Sequence, residues 1–250
     1  TEYKTDHHLA HYHLGRVLQE QGKSIDAEAS FKKVIALKPE LPVPYNDLGI
    51  TLQELGRLEE AEKSFNRAIN LKPDFAEAYN NLGNLLKELG KFRGAEESYL
   101  KALQLKPGSA QLYNNYGIIL KAQGNLKEAE KTIKKALELD SSYPEAFFNL
   151  GIVLHELGKV KEAEASYTQA VELKPNYSEA YNNFGIILTE LGRLDEAEEK
   201  LNKAIALRPN YPEALCNLGN ILRKLKRFNA SEASFNQAIS LKRNYSDAYN

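Results

Sequence analysis

The side chains with the most obvious chemical capacity sit near the start of the chain. His7, His8, His11 and His13 crowd together, and His7 and His11 are four apart. That spacing can set two imidazoles on one helix face for a metal. No cysteine or repeated carboxylate pair completes a ligand set, and His11 and His13 fill positions held elsewhere by an aromatic and an amide. We therefore expect no metal and no cofactor. Acidic pairs such as Glu128 and Glu130 recur along the chain in a way that suits helix starts better than acid–base catalysis. There is no phosphate-cradling glycine loop and no nucleophile elbow, so no catalytic residue is assigned and no enzyme is expected. The recurring chemistry is that of amides. Asn46, Asn80, Asn114 and Asn182 form one series, and Asp47, Asn81, Asn115, Asn149, Asn183 and Asn217 form another one residue later. A carboxamide both donates and accepts, so it can bond a peptide backbone whatever that peptide's side chains are.

The amides are placed by a repeat. Leu, Tyr or Phe precedes Gly15, Gly49, Gly83, Gly117, Gly151, Gly185 and Gly219, each 34 residues after the last. Counting from seven residues before each glycine gives units 8–41, 42–75, 76–109, 110–143, 144–177, 178–211 and 212–245 within one array spanning 1–250. Positions within a unit are numbered as slots 1 to 34. Slots 4, 7 and 11, as in Tyr79, Leu82 and Leu86, make one helical stripe. A second stripe runs through Ala95, Tyr99, Ala102 and Leu103. Between them lie Gly56, Gly90, Gly124, Gly158 and Gly192, suited to a positive-φ helix stop. Each unit thus reads as helix A (slots 1–14), a turn, and helix B (about slots 17–31). Lys72-Pro73 ends a helix B, because proline cannot continue it. Asp74…Glu77, Ser142…Glu145, Asn176…Glu179 and Asn210…Glu213 are expected to form capping boxes for the next helix A, with Pro144 and Pro212 in its first turn. A lone hairpin cannot bury both stripes, so the expected fold is all-α, an array in which each hairpin packs on its neighbours.

The motif Tyr45-x2-Leu48-Gly49-x2-Leu52, then Ala61-x3-Phe65, then Pro73, resembles the tetratricopeptide repeat, with Tyr and Leu at its first two aromatic positions. The resemblance covers all but the first seven and last five residues. It implies a right-handed α-α superhelix with A helices on the concave face, and a protein-binding function. The amide series is similar to the asparagine ladder on the concave face of the O-linked N-acetylglucosamine transferase repeats, which holds extended peptides by their main chain. Family members that grip C-terminal carboxylates carry Lys or Arg at slots 2, 5 and 6. Here slot 2 holds residues such as Glu77, Gln111 and Glu145, and slots 5 and 6 are mainly Asn.

At about 100° per residue, slots 2, 5, 6, 9, 12 and 13 fall opposite the 4-7-11 stripe. The expected binding face therefore carries the two amide series, together with slot 9: Ile118, Ile152 and Ile186 as an apolar strip, and Asn84 and Asn220 as amides. Helices pack about 8–10 Å apart and an extended peptide advances about 3.3 Å per residue, so one rung serves roughly three to six ligand residues. The competing explanation is that each Asn bonds the neighbouring repeat's backbone and merely fixes stacking.

Lys plus Arg total 33 and Asp plus Glu 34, a net charge of −1, which gives no footprint for nucleic acid or an anionic membrane. The partner expected is a protein or extended peptide. No apolar run reaches the roughly 18–20 residues of a membrane span, the opening residues lack a signal-peptide pattern, and Cys216 is the only cysteine, which together fit the cytoplasm. Arg223, Lys224, Lys226 and Arg227 form a basic knot, with Lys226 in place of the turn glycine and Ser231 in place of the Ala of the other units. Residues 1–7 and 246–250 match parts of flanking repeats, so a segment of a longer repeat protein is expected. Two further readings follow: a substrate-recruiting arm of a larger, transferase-like enzyme, and self-assembly of arrays end to end.

Overall fold

The computed structural model describes residues 6–247, with side chains from 7 to 241. Among the described residues there are fourteen helices and no strand. Two compact units divide at residue 125, the first spanning Thr1–Asn125 and the second Leu126–Asn250. The first contains α1 (Asp6–Glu20), α2 (Ser24–Leu37), α3 (Pro42–Glu54), α4 (Leu58–Leu71), α5 (Ala76–Glu88), α6 (Phe92–Leu105) and α7 (Ala110–Ala122). The second contains α8 (Leu126–Leu139), α9 (Pro144–Glu156), α10 (Val160–Leu173), α11 (Ser178–Glu190), α12 (Leu194–Leu207), α13 (Pro212–Lys224) and α14 (Phe228–Asp247). Within each compact unit, helices A and B of a repeat pack as a hairpin, as α3 does on α4 and α9 on α10, and each B helix also touches the next A helix. This is the all-α helical-hairpin solenoid class.

The slot 8 glycine is a steric necessity. A Cβ on Gly49 would lie 2.6 Å from the ring of Phe65, and one on Gly151 would lie 2.7 Å from Tyr167. Both rings are fully or almost fully buried. The aromatic of helix B presses directly on the backbone of helix A, and only glycine lets the two helices approach that closely. Around this contact the first unit builds its core from Phe31, Leu52, Phe65, Leu85, Tyr99 and Ile119.

The A-to-B turns close as the glycine spacing predicts. Gly56 has φ +73°, its N–H donates to the carbonyl of Gln53 at 2.9 Å, and Arg57 N–H reaches back to Leu52 at 2.9 Å. Lys226 takes the same backbone shape at φ 60° without being glycine. A left-handed non-glycine residue costs about 1 kcal/mol. Lys226→Gly should therefore raise stability by about 0.5–1 kcal/mol, read as an increase in melting temperature.

The joints differ from expectation. α5 begins at Ala76 and its N-cap is Phe75, without a side-chain cap bond; Tyr143, Tyr177 and Tyr211 stand likewise before α9, α11 and α13. Asp74, Ser142, Asn176 and Asn210 thus lie one residue too early to cap, and the four expected capping boxes do not form. In α7 the cap residue is Ser109, one residue later in the pattern, and it accepts from Leu112 N–H at 3.4 Å. Phe75, Tyr177 and Tyr211 are instead covered by the basic residue three positions earlier. Lys174 Nζ sits 4.6 Å from the centre of the Tyr177 ring and the Arg208 guanidinium 4.7 Å from that of Tyr211. Where proline is missing after α8, Asp140 makes the turn by accepting from the N–H and hydroxyl of Ser142, and these bonds hold its carboxyl below the usual aspartate range.

Helix α14 runs unbroken from Phe228 to Asp247 through Arg243, where most other units have proline. Residues 1–5 and 248–250, the outer parts of the expected flanking repeats, lie outside the described residues. Ser231 is also resolved by packing: it is buried and donates to the carbonyl of Gly219 at 2.8 Å, an internal tie between α13 and α14. No described helix is long and apolar enough to cross a membrane.

Candidate functional site

Neighbouring A helices touch one another, α1 with α3, α3 with α5 and α5 with α7 in the first unit, and α9 with α11 and α11 with α13 in the second. The two amide series lie along these contacts. Slot 5 is the inner series. Asn46, Asn114 and Asn182 are 1%, 3% and 5% exposed, while Asn80 is half-buried. Slot 6 is the outer series, with Asn81, Asn115, Asn149, Asn183 and Asn217 all half-buried.

The two series interlock by one rule. The slot 6 amide donates to the slot 5 carbonyl oxygen of the repeat before it: Asn81 to Asn46 at 2.9 Å, Asn115 to Asn80 at 3.1 Å, and Asn217 to Asn182 at 2.9 Å. Within a repeat, slot 5 donates to slot 6, as Asn46 does to Asp47 at 3.2 Å and Asn182 to Asn183 at 3.1 Å. Tyr12, Phe148 and Cys216 replace the slot 5 amide in three repeats. Asn183, which follows Phe148 by one repeat, shares a hydrogen bond with the Tyr167 hydroxyl. Burial raises the ionisation point of that hydroxyl, and the Asn183 bond partly offsets the rise.

These bonds tie repeats together through side chains, not through the backbone as the competing explanation holds, and they do not exhaust the amides. A carboxamide has two N–H donors and an oxygen with two lone pairs. The inter-repeat bond of Asn81, Asn115 or Asn217 uses one donor. The slot 6 side chains are thus held in place by their neighbours while their outer edge remains partly open. Beside Asn80 and Asn81 lies a cleft of about 320 Å³, lined also by Glu77, Lys106, Ser109 and Gln111.

Slot 9 divides by residue type. Ile50, Ile118, Ile152 and Ile186 are half-buried, so each shows part of its side chain. Asn84 accepts from the Tyr99 hydroxyl at 2.7 Å, which satisfies a buried phenol in the core, while Asn220 is exposed. At slots 12 and 13, polar side chains join successive repeats: Gln53 donates to Glu88 at 2.6 Å, and His155 Nε2 lies 2.8 Å from Glu190.

Asp47 is the acidic member of the slot 6 series. It is 5% exposed, and its Oδ2 has no hydrogen-bond partner. Burial, the largest influence, raises its carboxyl above the ordinary aspartate range against the bonds from Tyr12 and Asn46 and the charge of Arg16. Among the described residues no three His, Cys, Asp or Glu side chains converge as a metal site would require.

A second set of contacts was not anticipated. The basic residue after the turn reaches an acid on the previous B helix: Arg57 to Glu28 at 2.7 Å, Lys91 to Glu62 at 2.8 Å, Lys159 to Glu130 at 2.8 Å, Arg193 to Glu164, and Arg227 to Glu198 at 2.6 Å. Every pair is 29 residues apart, a spacing present in the sequence. Arg227 of the basic knot is absorbed by this series.

Residues 45–249 match the family model of the cilia and flagella-associated protein 70 C-terminal domain, and residues 9–41 match that of the tetratricopeptide repeat. A search of curated proteins found no match. Among solved structures, YrrB, described as a tetratricopeptide-repeat protein with an unusual peptide-binding site, is 28% identical over 74% of this chain and 95% of its own, with a TM-score of 0.57. A tetratricopeptide repeat protein from Parabacteroides merdae is 20% identical over 94% of this chain and 93% of its own, at a TM-score of 0.74. PilF of Pseudomonas aeruginosa is 18% identical over 84% and 96%, also at 0.74. The last two share the fold. With helical hairpins of 34-residue period throughout and a family model matched over residues 45–249, the chain belongs to the tetratricopeptide-repeat family, and specifically to the family of that C-terminal domain.

Proposed function

We propose that the A-helix face is a groove that binds an extended segment of a partner protein, with the slot 6 amides bonding its main chain and the slot 9 isoleucines receiving its apolar side chains. The observation that carries this is the locked but partly open amide series. Asn81, Asn115 and Asn217 are each fixed by a bond to the slot 5 amide of the preceding repeat, as Asn115 is by Asn80, so a ligand need not order them. Groups already held in their bound orientation lose less entropy on association. The inner amides, Asn46, Asn114 and Asn182, act from beneath as supports. The description of YrrB as having a peptide-binding site supports the same class of ligand. The balanced charge leaves recognition to hydrogen bonds and shape more than to long-range attraction.

The test is peptide binding by the wild-type chain and by Asn115→Ala, Asn149→Ala and Asn183→Ala combined. A hydrogen bond is worth about 0.5–1.5 kcal/mol net, so with partial compensation the triple variant should lose about tenfold in affinity for peptides selected on the wild type. Circular dichroism checks that the helices remain. Unchanged affinity in a folded variant removes the amides from the mechanism.

A further inference from the structure

Asp47 breaks the amide series at one rung, and its surroundings say what the change is for. It lines a cleft of about 350 Å³ between the first three A helices, with Arg16, Glu20, Ile50, Glu54 and Glu77 around it. Four acids and one base give this small volume an excess of negative charge. Arg16 acts on Asp47 through its charge without forming a close ion pair with it; its described ion pair is with Glu20, at 3.9 Å. Asp47 Oδ1 receives the Asn46 amide at 3.2 Å, whereas Oδ2 has no partner and is buried. A buried carboxylate oxygen without a partner is costly, and asparagine at the same slot in five other repeats shows that the ladder does not need an acid. The terminal torsion of a carboxylate is soft, so Oδ2 can turn into the cleft without backbone movement. Ile50 offers an apolar wall beside it.

A carboxylate with one unbonded oxygen, an apolar wall and an acidic rim are what a long basic side chain requires, its methylenes on the wall and its charged head on the oxygen. We propose that this cleft receives a lysine or arginine side chain of the bound peptide, so that the groove reads one basic residue at the second repeat. The proposal rests on the peptide-groove reading above. A metal ion is disfavoured because no three ligating side chains converge there.

The test pans the whole chain, as wild type and as Asp47→Asn, against a phage-displayed library of random decapeptides and sequences the output. Asp47→Asn installs the side chain other repeats carry at this slot, and its melting temperature verifies folding. The wild type should enrich Lys and Arg at one peptide position by about tenfold over the input, the size of one charge-assisted bond. Asp47→Asn should still enrich peptides while losing that positional excess. Peptides enriched by the wild type with no basic position, or a basic position that persists in the variant, overturn the proposal and leave the groove standing. No enrichment by either protein overturns the groove and this proposal together.

Discussion

Gly49→Ala should destabilise the first unit by about 3 kcal/mol, because one added methyl group meets a ring that has nowhere to go. The new Cβ would lie 2.6 Å from Cε1 and 2.7 Å from Cδ1 of Phe65. Phe65 is fully buried against α3 and belongs to the same core as Leu48 and Leu52. Relief requires the ring to leave its rotamer or the hairpin to open, and either disturbs packing on both sides. The measurement is chemical denaturation of the wild type, Gly49→Ala, Phe65→Ala and the double variant. Phe65→Ala alone should cost about 3–5 kcal/mol through the cavity it leaves. The double variant should cost clearly less than the sum, since the small side chain makes room for the methyl group. Strict additivity would show that the two positions do not press on one another. In a repeat array the loss should concentrate in the affected hairpins, so the early part of the unfolding curve is where it will appear.

Asp47→Asn should raise stability at neutral pH by about 2 kcal/mol, through removal of a buried charge whose second oxygen is unbonded. The sign of its pH dependence is fixed by the raised folded-state ionisation point, for which burial is the leading cause. The folded state then holds a proton at this group more tightly than the unfolded chain does. Asp47 is therefore least harmful below the unfolded aspartate value of about 4, and it loses stability as pH rises through its higher folded value. The melting-temperature advantage of Asp47→Asn should be small at low pH, grow across that window, and stay constant above it. Using the difference between the two proteins cancels carboxylates that behave oppositely, such as Glu130, whose bonds from Lys134 and Lys159 hold it below the usual range. A constant difference at all pH values would mean that Asp47 does not titrate anomalously. A stabilising effect of this substitution would fit the binding role proposed for Asp47, because local rules of stability are often broken where a residue serves function.

The fold was legible because every unit repeats the same instructions. Gly15 to Gly219 mark close approach, Gly22 to Gly192 mark the positive-φ turn, and prolines after Lys38, Lys72, Lys106, Lys174 and Arg208 mark the joints. The placement of the amide series was legible only in outline. A single stripe through slots 4, 7 and 11 assumes that helix A packs on one side, but it packs on its own B helix and on the neighbouring repeat. Ala78 and Leu85, at slots 3 and 10, are therefore buried as deeply as Leu82. The wider buried arc takes in slot 5, so Asn46, Asn114 and Asn182 lie inside the helix–helix contact although a helical wheel places them outside. The capping boxes failed for a related reason. The pattern of acids and small polar residues was present, but an aromatic occupies the N-cap and the candidate caps fall one residue short. Nothing in one unit's sequence reveals that Asp47 Oδ2 lacks a partner, because its neighbours come from three different repeats.

The bonds between repeats join fixed slots: slot 6 to slot 5 of the unit before, and the base at slot 16 to the acid at slot 21 of the unit before. A unit that carries all four groups can give and receive on both of its sides. Such a unit is a complete cassette. Copying it whole into the middle of the array creates two junctions that already have their hydrogen bonds and charges matched, whereas copying part of it, or inserting one residue at a turn, shifts every partner out of register. Lengthening by entire units is thus the cheap mutational path for this chain, and a lone departure such as Asp47 is the means by which one copy acquires an identity of its own.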